Sequence, residues 1–181
     1  MTRRFYARAT AIAAASFAIS FSVIAVTDPL PRIVWNASAS APIGLYRIQP
    51  DRDPPLGTLV AVAPPQRLGR WMAVRGYLGE NVPLLKHVAA KAGQRVCRIG
   101  STVTVDGQAV TLALTHDRLA RPLPVWRGCR TLGGDELLLL NPKHPDSLDG
   151  RYFGPLPTAT VLGRAIPILT QPTPDAPLIR R

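Results

Sequence analysis

Acidic side chains are scarce in this chain: 11 Asp and Glu stand against 22 Lys and Arg, a formal charge of +11 with histidine neutral. Such an excess raises the question of nucleic acid as a partner. The basic residues, however, are scattered from Arg67 to Arg130 without a dense run, aromatics are only 6%, and no nucleic-acid motif is present. Direct nucleic-acid binding is therefore not expected, and attraction to anionic lipid headgroups is the simpler use of the charge. Cysteine is limited to Cys97 and Cys129. In an exported compartment an even pair is most simply a disulfide, two unpaired buried thiols being the alternative. His87, His116 and His144 show no ligand spacing relative to either cysteine, which argues against a Cys/His metal site. Helical periodicity is nearly absent beyond the N-terminus, no internal repeat is visible, and no cofactor motif occurs. With 46% hydrophobic residues the chain is too apolar for disorder and not apolar enough for a polytopic membrane protein.

What is present begins with a membrane-type segment. Arg3, Arg4 and Arg8 precede an apolar run from Ala9 to Val26 that ends at Thr27-Asp28-Pro29. As a helix this run spans about 27 Å, against about 30 Å for a bilayer core. The arginines predict a cytoplasmic N-terminus and an exported body. A cleavable signal peptide is the other reading. An uncleaved anchor is favoured, because no small-x-small site is followed by a natural mature start.

The chain is thus expected to divide into a basic end and anchor (1–28), one all-β domain (29–170) and a loose, proline-bearing tail (171–181). Between the anchor and the first serines lies a short extended passage, Pro29 to Asn36. Strands are read at Thr58 to Ala63, Leu84 to Ala89, Glu136 to Leu140 and Ala159 to Leu169, with one short helix around Trp71 to Val74. Thr102 to Val105 and Gln108 to Leu112 flank Asp106-Gly107, the signature of a hairpin with a type I′ turn. The 19 prolines fit a body of short strands and turns, since proline is costly inside helices.

Three segments carry candidate chemistry. Ser38-Ala39-Ser40-Ala41-Pro42-Ile43-Gly44-Leu45-Tyr46 follows the anchor. On an extended chain Ser38 and Ser40 would face one side, so one hydroxyl attacks while the other supports the oxyanion. The plain alternative is a Ser/Ala-rich linker. Lys86 sits among Leu84, Leu85, Val88 and Ala89. A lysine amine is a base only when neutral, and an apolar setting lowers its pKa from about 10.4. The alternative is an edge-strand lysine pointing at water. Asp146-Ser147-Leu148-Asp149-Gly150-Arg151-Tyr152-Phe153-Gly154 supplies a hydroxyl for Lys86 and an Asp149–Arg151 pair, or else only a polar turn.

The order of these segments resembles the type I signal peptidase family, from the anchor to about Ala165. More narrowly, Ser-Ala-Pro-Ile-Gly-Leu-Tyr is similar to its conjugative-transfer branch, the TraF-type pilin-processing proteases. The resemblance implies a signal-peptidase-like β-domain with Ser40 as nucleophile and Lys86 as general base. Ser38 and the Ser40 N–H would form the oxyanion hole. Ser147 would orient the lysine, and Asp149 with Arg151 would support it. Ala41 stands where Met is usual, Ile43-Gly44 replaces a common Thr, and His87 occupies a position often held by Arg. The smaller cap domain of larger signal peptidases is expected to be absent or abbreviated between Val110 and Leu132.

The function implied is a single-pass enzyme of the bacterial inner membrane with a periplasmic catalytic domain. It would be a cofactor-free Ser/Lys endopeptidase acting on an exported precursor with small residues before the cut. A conjugative pilin precursor is the substrate implied, with release by hydrolysis or by cyclisation. The alternative is a non-catalytic binding component of a conjugation or secretion apparatus, which predicts that Ser40 and Lys86 need not meet. A DNA-recruiting basic protein would need a contiguous positive face.

Overall fold

The protein is described by a computed structural model covering residues 3–27, 32–171 and 176–180. The first part of the expected extended passage, before Arg32, and residues 172–175 and 181 of the expected tail lie outside the described residues. The chain separates into two units, Met1–Pro31 and Arg32–Arg181.

Helix α1 (Arg3–Thr27) is long and apolar enough to cross a membrane. Its 25 residues span about 37 Å at helical rise. Serine and threonine within it do not leave free hydroxyls. Ser16, Ser20, Ser22 and Thr27 each donate to the carbonyl four residues earlier, at 2.8–2.9 Å. That back-bonding is how an apolar helix accommodates hydroxyls away from water.

The second unit is built of antiparallel strands. In chain order it contains β1 (Ile33–Asn36), β2 (Ile43–Gln49), β3 (Leu59–Val62), α2 (Gln66–Val74), β4 (Leu84–Ala90), β5 (Arg95–Ile99), β6 (Thr102–Val105) and β7 (Gln108–Leu112). It continues with β8 (Gly128–Thr131), β9 (Glu136–Leu140), α3 (Gly150–Phe153), β10 (Leu156–Pro157), β11 (Val161–Gln171) and β12 (Ile179–Arg180). An eight-stranded sheet runs β1-β2-β11-β3-β4-β9-β10, with β12 paired to β11, and a four-stranded sheet runs β7-β6-β5-β8. The all-β class read from the sequence is the architecture observed.

Strands β3 and β4 lie inside the large sheet and are covered on both faces, which is why β3 reads as an unbroken apolar run and β4 as one broken only by Lys86 and His87. Ala61 and Leu85 pack with Val34, Tyr46, Ile48 and Ala165 on one side. Val60, Val62, Leu84 and Val88 pack with Met72, Leu137 and Leu139 on the other. Leu138 and Leu140 of β9 join Ala90 to Val96, Val103 and Val105 and so bind the small sheet to the large one. Cys97 and Cys129 face each other across the β5–β8 ladder and are disulfide-bonded, with Cα atoms 4.0 Å apart.

The Asp106-Gly107 hairpin forms as read, with positive φ at both turn residues (48° and 83°), as a type I′ turn requires. Other elements differ from the reading. The helix near Trp71 begins earlier, at Gln66, where Pro65 supplies its N-cap. Between Val110 and Leu132, where an absent or abbreviated cap was expected, the chain finishes β7 and supplies β8 to the small sheet. Gln171, assigned to a loose tail, ends β11, and Thr170 and Leu169 pair with Ile179 and Arg180.

Candidate active site

The serine segment is the connection between β1 and β2, whose register ends at Asn36 opposite Gly44. It is a turn and not the extended chain expected, so the alternation argument for Ser38 and Ser40 does not apply. The turn itself brings them together: their Oγ atoms lie 2.8 Å apart. Tyr46 OH donates to the Pro42 carbonyl at 2.6 Å, holding the exit of the turn onto the core. Gly44 is needed for packing, since its φ is 147° and a Cβ there would stand 2.1 Å from the Leu169 carbonyl oxygen.

Lys86 is on β4, an interior strand, opposite Val60 and on the same face as Leu84 and Val88. The edge-strand alternative is thereby excluded, and the residue is 4% exposed. Its Nζ donates to Ser147 Oγ at 2.9 Å and lies 3.4 Å from Ser40 Oγ. Burial strips water from the ammonium and lowers its pKa from 10.5 to about 8. The Asp149 charge opposes this shift and the Arg151 charge adds to it. An amine held partly neutral beside a hydroxyl can take that hydroxyl's proton. Lys91, the other lysine near this strand, pairs with Asp53 on the surface.

Ser147 is 2% exposed and held by the segment that follows β9. Asp149 caps α3 and forms a two-pronged pair with Arg151: Nε donates to Oδ1 at 2.8 Å and Nη2 to Oδ2 at 3.0 Å. The remaining donors of Arg151 go to the carbonyls of Leu112, Pro145 and Asn141. The carboxylate also accepts from the N–H groups of Arg151 and Asn141. All five guanidinium N–H groups and both carboxylate oxygens are therefore satisfied, which is what permits a fully buried charge pair.

Asn141, not singled out from the sequence, ties this support to the lysine strand. Its Nδ2 donates to the Leu85 carbonyl at 2.9 Å, and its Oδ1 lies 2.8 Å from His87 Nδ1. His87, next to Lys86 on β4, is thus tied to the segment that follows β9. Arg98 is a second residue missed. It is 3% exposed and donates to the Arg151 carbonyl at 2.6 Å. Asn36 is a third, hydrogen-bonded inside the serine turn. An asparagine closing an apolar strand before a small-residue turn was the available signal for it.

A cleft of about 680 Å³ opens onto Ser38, Ser40, Lys86 and Ser147 and is walled by groups such as Tyr77 and Leu119. Its far wall is braced through Asp117, which accepts from Tyr77 OH and from Arg121 Nε. Those bonds hold the Asp117 carboxyl far below the usual carboxylate range, against a desolvation that acts the other way. Asp146 pairs with Arg118 at the exposed rim.

Residues 3–170 match the family described as signal peptidase, peptidase S26. The chain is 40% identical over 146 residues to the probable conjugal transfer protein TraF of Sinorhizobium fredii (strain NBRC 101917 / NGR234), covering 75% of this chain and 76% of that protein. It is 35% identical over 147 residues to the conjugal transfer protein TraF of Agrobacterium fabrum, with 75% and 81% covered. It is 32% identical over 146 residues to a plasmid transfer protein TraF of Escherichia coli, with 75% and 81% covered. A solved signal peptidase I from Enterococcus faecalis V583 aligns over 62% of this chain and 96% of that chain, with 18% identity and a TM-score of 0.36. With the family match running almost the length of the chain, this protein belongs to the signal peptidase family, peptidase S26.

Proposed function

We propose that this protein is a membrane-anchored serine endopeptidase that processes an exported precursor in conjugal transfer. Ser40 attacks the scissile carbonyl, and Lys86 takes the Ser40 proton and returns it to the leaving amine. The Ser40 N–H and the Ser38 hydroxyl receive the oxyanion. To do so the Ser38 hydroxyl turns from Ser40 Oγ to the substrate oxygen. Ser147 fixes the direction of the amine, and the Asp149–Arg151 pair holds the segment that carries Ser147. The observation that carries this reading is the position of the buried Lys86 amine, 2.9 Å from Ser147 Oγ and 3.4 Å from Ser40 Oγ. A hydrogen bond of the longer distance is common before substrate closes the site.

The conjugal setting rests on the names of the relatives. It favours a pilin precursor as substrate, cut on the periplasmic face of the inner membrane. The acyl-enzyme is resolved by water to a linear product or by the substrate's own amine to a ring. The test is processing of a co-expressed pilin precursor by the wild type and by Ser40→Ala and Lys86→Ala. Loss of processing in both variants, with each folded and in the membrane, is expected. Normal processing by both would overturn the assignment. The mass of the product, heavier by one water if linear, decides between hydrolysis and ring closure.

A further inference from the structure

We infer that Asn36 is a positioning residue that presets the oxyanion site by fixing the peptide planes around Ser40; this rests on the reading of Ser40 as nucleophile. Asn36 is the last residue of β1 and 9% exposed. Beyond it the β1–β2 ladder stops, so the carbonyls of the turn have no strand partner. The Asn36 side chain replaces that partner. Its Nδ2 donates to the carbonyls of Ser38 at 2.9 Å, Ala41 at 3.0 Å and Pro42 at 3.0 Å. Its Oδ1 accepts the Ser38 N–H at 3.1 Å. Three acceptors on one end and a donor on the other also leave only one orientation of the amide.

Because each peptide unit is planar, a hydrogen bond to one of its atoms restrains the unit as a whole. The Ser38 N–H pins the unit joining residues 37 and 38, and the Ser38 carbonyl pins that joining 38 and 39. The Ala41 and Pro42 carbonyls pin the units 41–42 and 42–43. Between them stand the two units that belong to Ser40. Among the described residues the Ser40 N–H meets no protein acceptor. One buried amide thus clamps the backbone on both sides of the nucleophile and leaves free the N–H that an oxyanion needs. The Ser38 plane is clamped by the same group, so both oxyanion donors are referred to one anchor.

The test uses the full-length protein in detergent micelles, with Asn36→Asp and Asn36→Ala compared against wild type and Ser40→Ala. Asn36→Asp keeps the shape and the acceptor but loses the donors to three carbonyls. For both variants kcat per titrated active site is expected to fall about 100-fold, with KM unchanged. A peptide boronate, which forms a tetrahedral adduct on a serine, should lose affinity by the same factor. A merely structural role would lower the fraction of titratable enzyme and leave kcat per site and boronate affinity intact; that result overturns the inference. Full activity in Asn36→Asp with a dead Ser40→Ala removes the role of Asn36 alone. Activity in Ser40→Ala removes the nucleophile reading itself. Should neither Asn36 variant fold, hydrogen exchange of the wild-type Asn36 side-chain amide decides. Protection is expected, and exchange at the rate of a free amide overturns the inference.

Discussion

Raising the pH from 7 to 9 is expected to increase kcat/KM about tenfold, with a bend near pH 8. Lys86 is on an interior strand and almost fully covered, and burial lowers its pKa from 10.5 to about 8. At that value roughly a tenth of the amine is neutral at pH 7 and about nine-tenths at pH 9. A solvated lysine at 10.5 would hold about 300-fold less neutral amine at pH 7 and would rise about a hundredfold over the same interval without a bend. The assay is single-turnover acylation of the full-length protein, with a substrate that does not titrate between pH 6 and 10, because kcat/KM reports the free enzyme. A slope of one continuing past about pH 9.5 would show a solvated amine. A flat profile would show that no base titrates in this range. Either result refutes the reasoning from burial to basicity.

The same burial has a consequence for stability. The folded protein holds the Lys86 proton more weakly than the unfolded chain, so this group opposes folding below about pH 8, and the opposition fades as the pH rises toward 10.5. The gap corresponds to about 3 kcal/mol, less about 1 kcal/mol for the lost Ser147 hydrogen bond. Lys86→Met should therefore raise the urea midpoint at pH 7, with the gain shrinking at alkaline pH; a gain that grows with pH would contradict the sign. Asp149→Ala leaves the buried Arg151 guanidinium without its counter-charge. It is expected to destabilise the protein by about 3–5 kcal/mol, read by denaturant unfolding. Replacing Cys97 and Cys129 together by alanine opens a link with a sequence separation of 32. The loss should be about 3–4 kcal/mol, seen as a lower denaturant midpoint, and an unchanged midpoint would mean the link adds nothing.

The legible parts of the fold were those whose signal is local. Asp106-Gly107 demands positive φ whatever surrounds it, and the apolar runs of β3, β4 and β9 read as strands because both faces are covered. Strand β8 carried no such signal: all of Gly128–Thr131 is exposed, and its place comes from pairing with Arg95–Arg98. In β5 three consecutive residues, Val96, Cys97 and Arg98, are buried and one is charged, so no alternation shows. In β2 the inward positions are Gly44, Tyr46 and Ile48, and the glycine interrupts the apolar pattern. The serine and lysine segments were legible as a company of motifs, but the depth of Lys86 was not. Its burial depends on β3 and β9 lying on either side of β4, and β9 with the segment that follows it comes from far along the chain. The clamp of Asn36 was hidden for another reason. All of its partners are within six residues, yet all are backbone atoms, so the asparagine's place before a small-residue turn was its one sequence signal.

The Asp149–Arg151 pair shows how a buried ion pair can stand near the Lys86 amine while that amine's pKa stays lowered. A lone carboxylate near Lys86 would favour the ammonium and undo the effect of burial. Asp149 does pull in that direction, but Arg151 pulls the other way and is bound to it through two hydrogen bonds. The two charges act in opposite directions at the amine, and desolvation is the largest influence on its pKa. The pair can therefore hold the segment that carries Ser147, cap α3 and receive the Asn141 N–H while the Lys86 pKa stays lowered. A neutral hydrogen-bonding group in place of Asp149 would hold the backbone less firmly. It would also leave Arg151 as an unopposed positive charge in the core. The pair thus contributes opposed charges as well as hydrogen bonds beside Lys86.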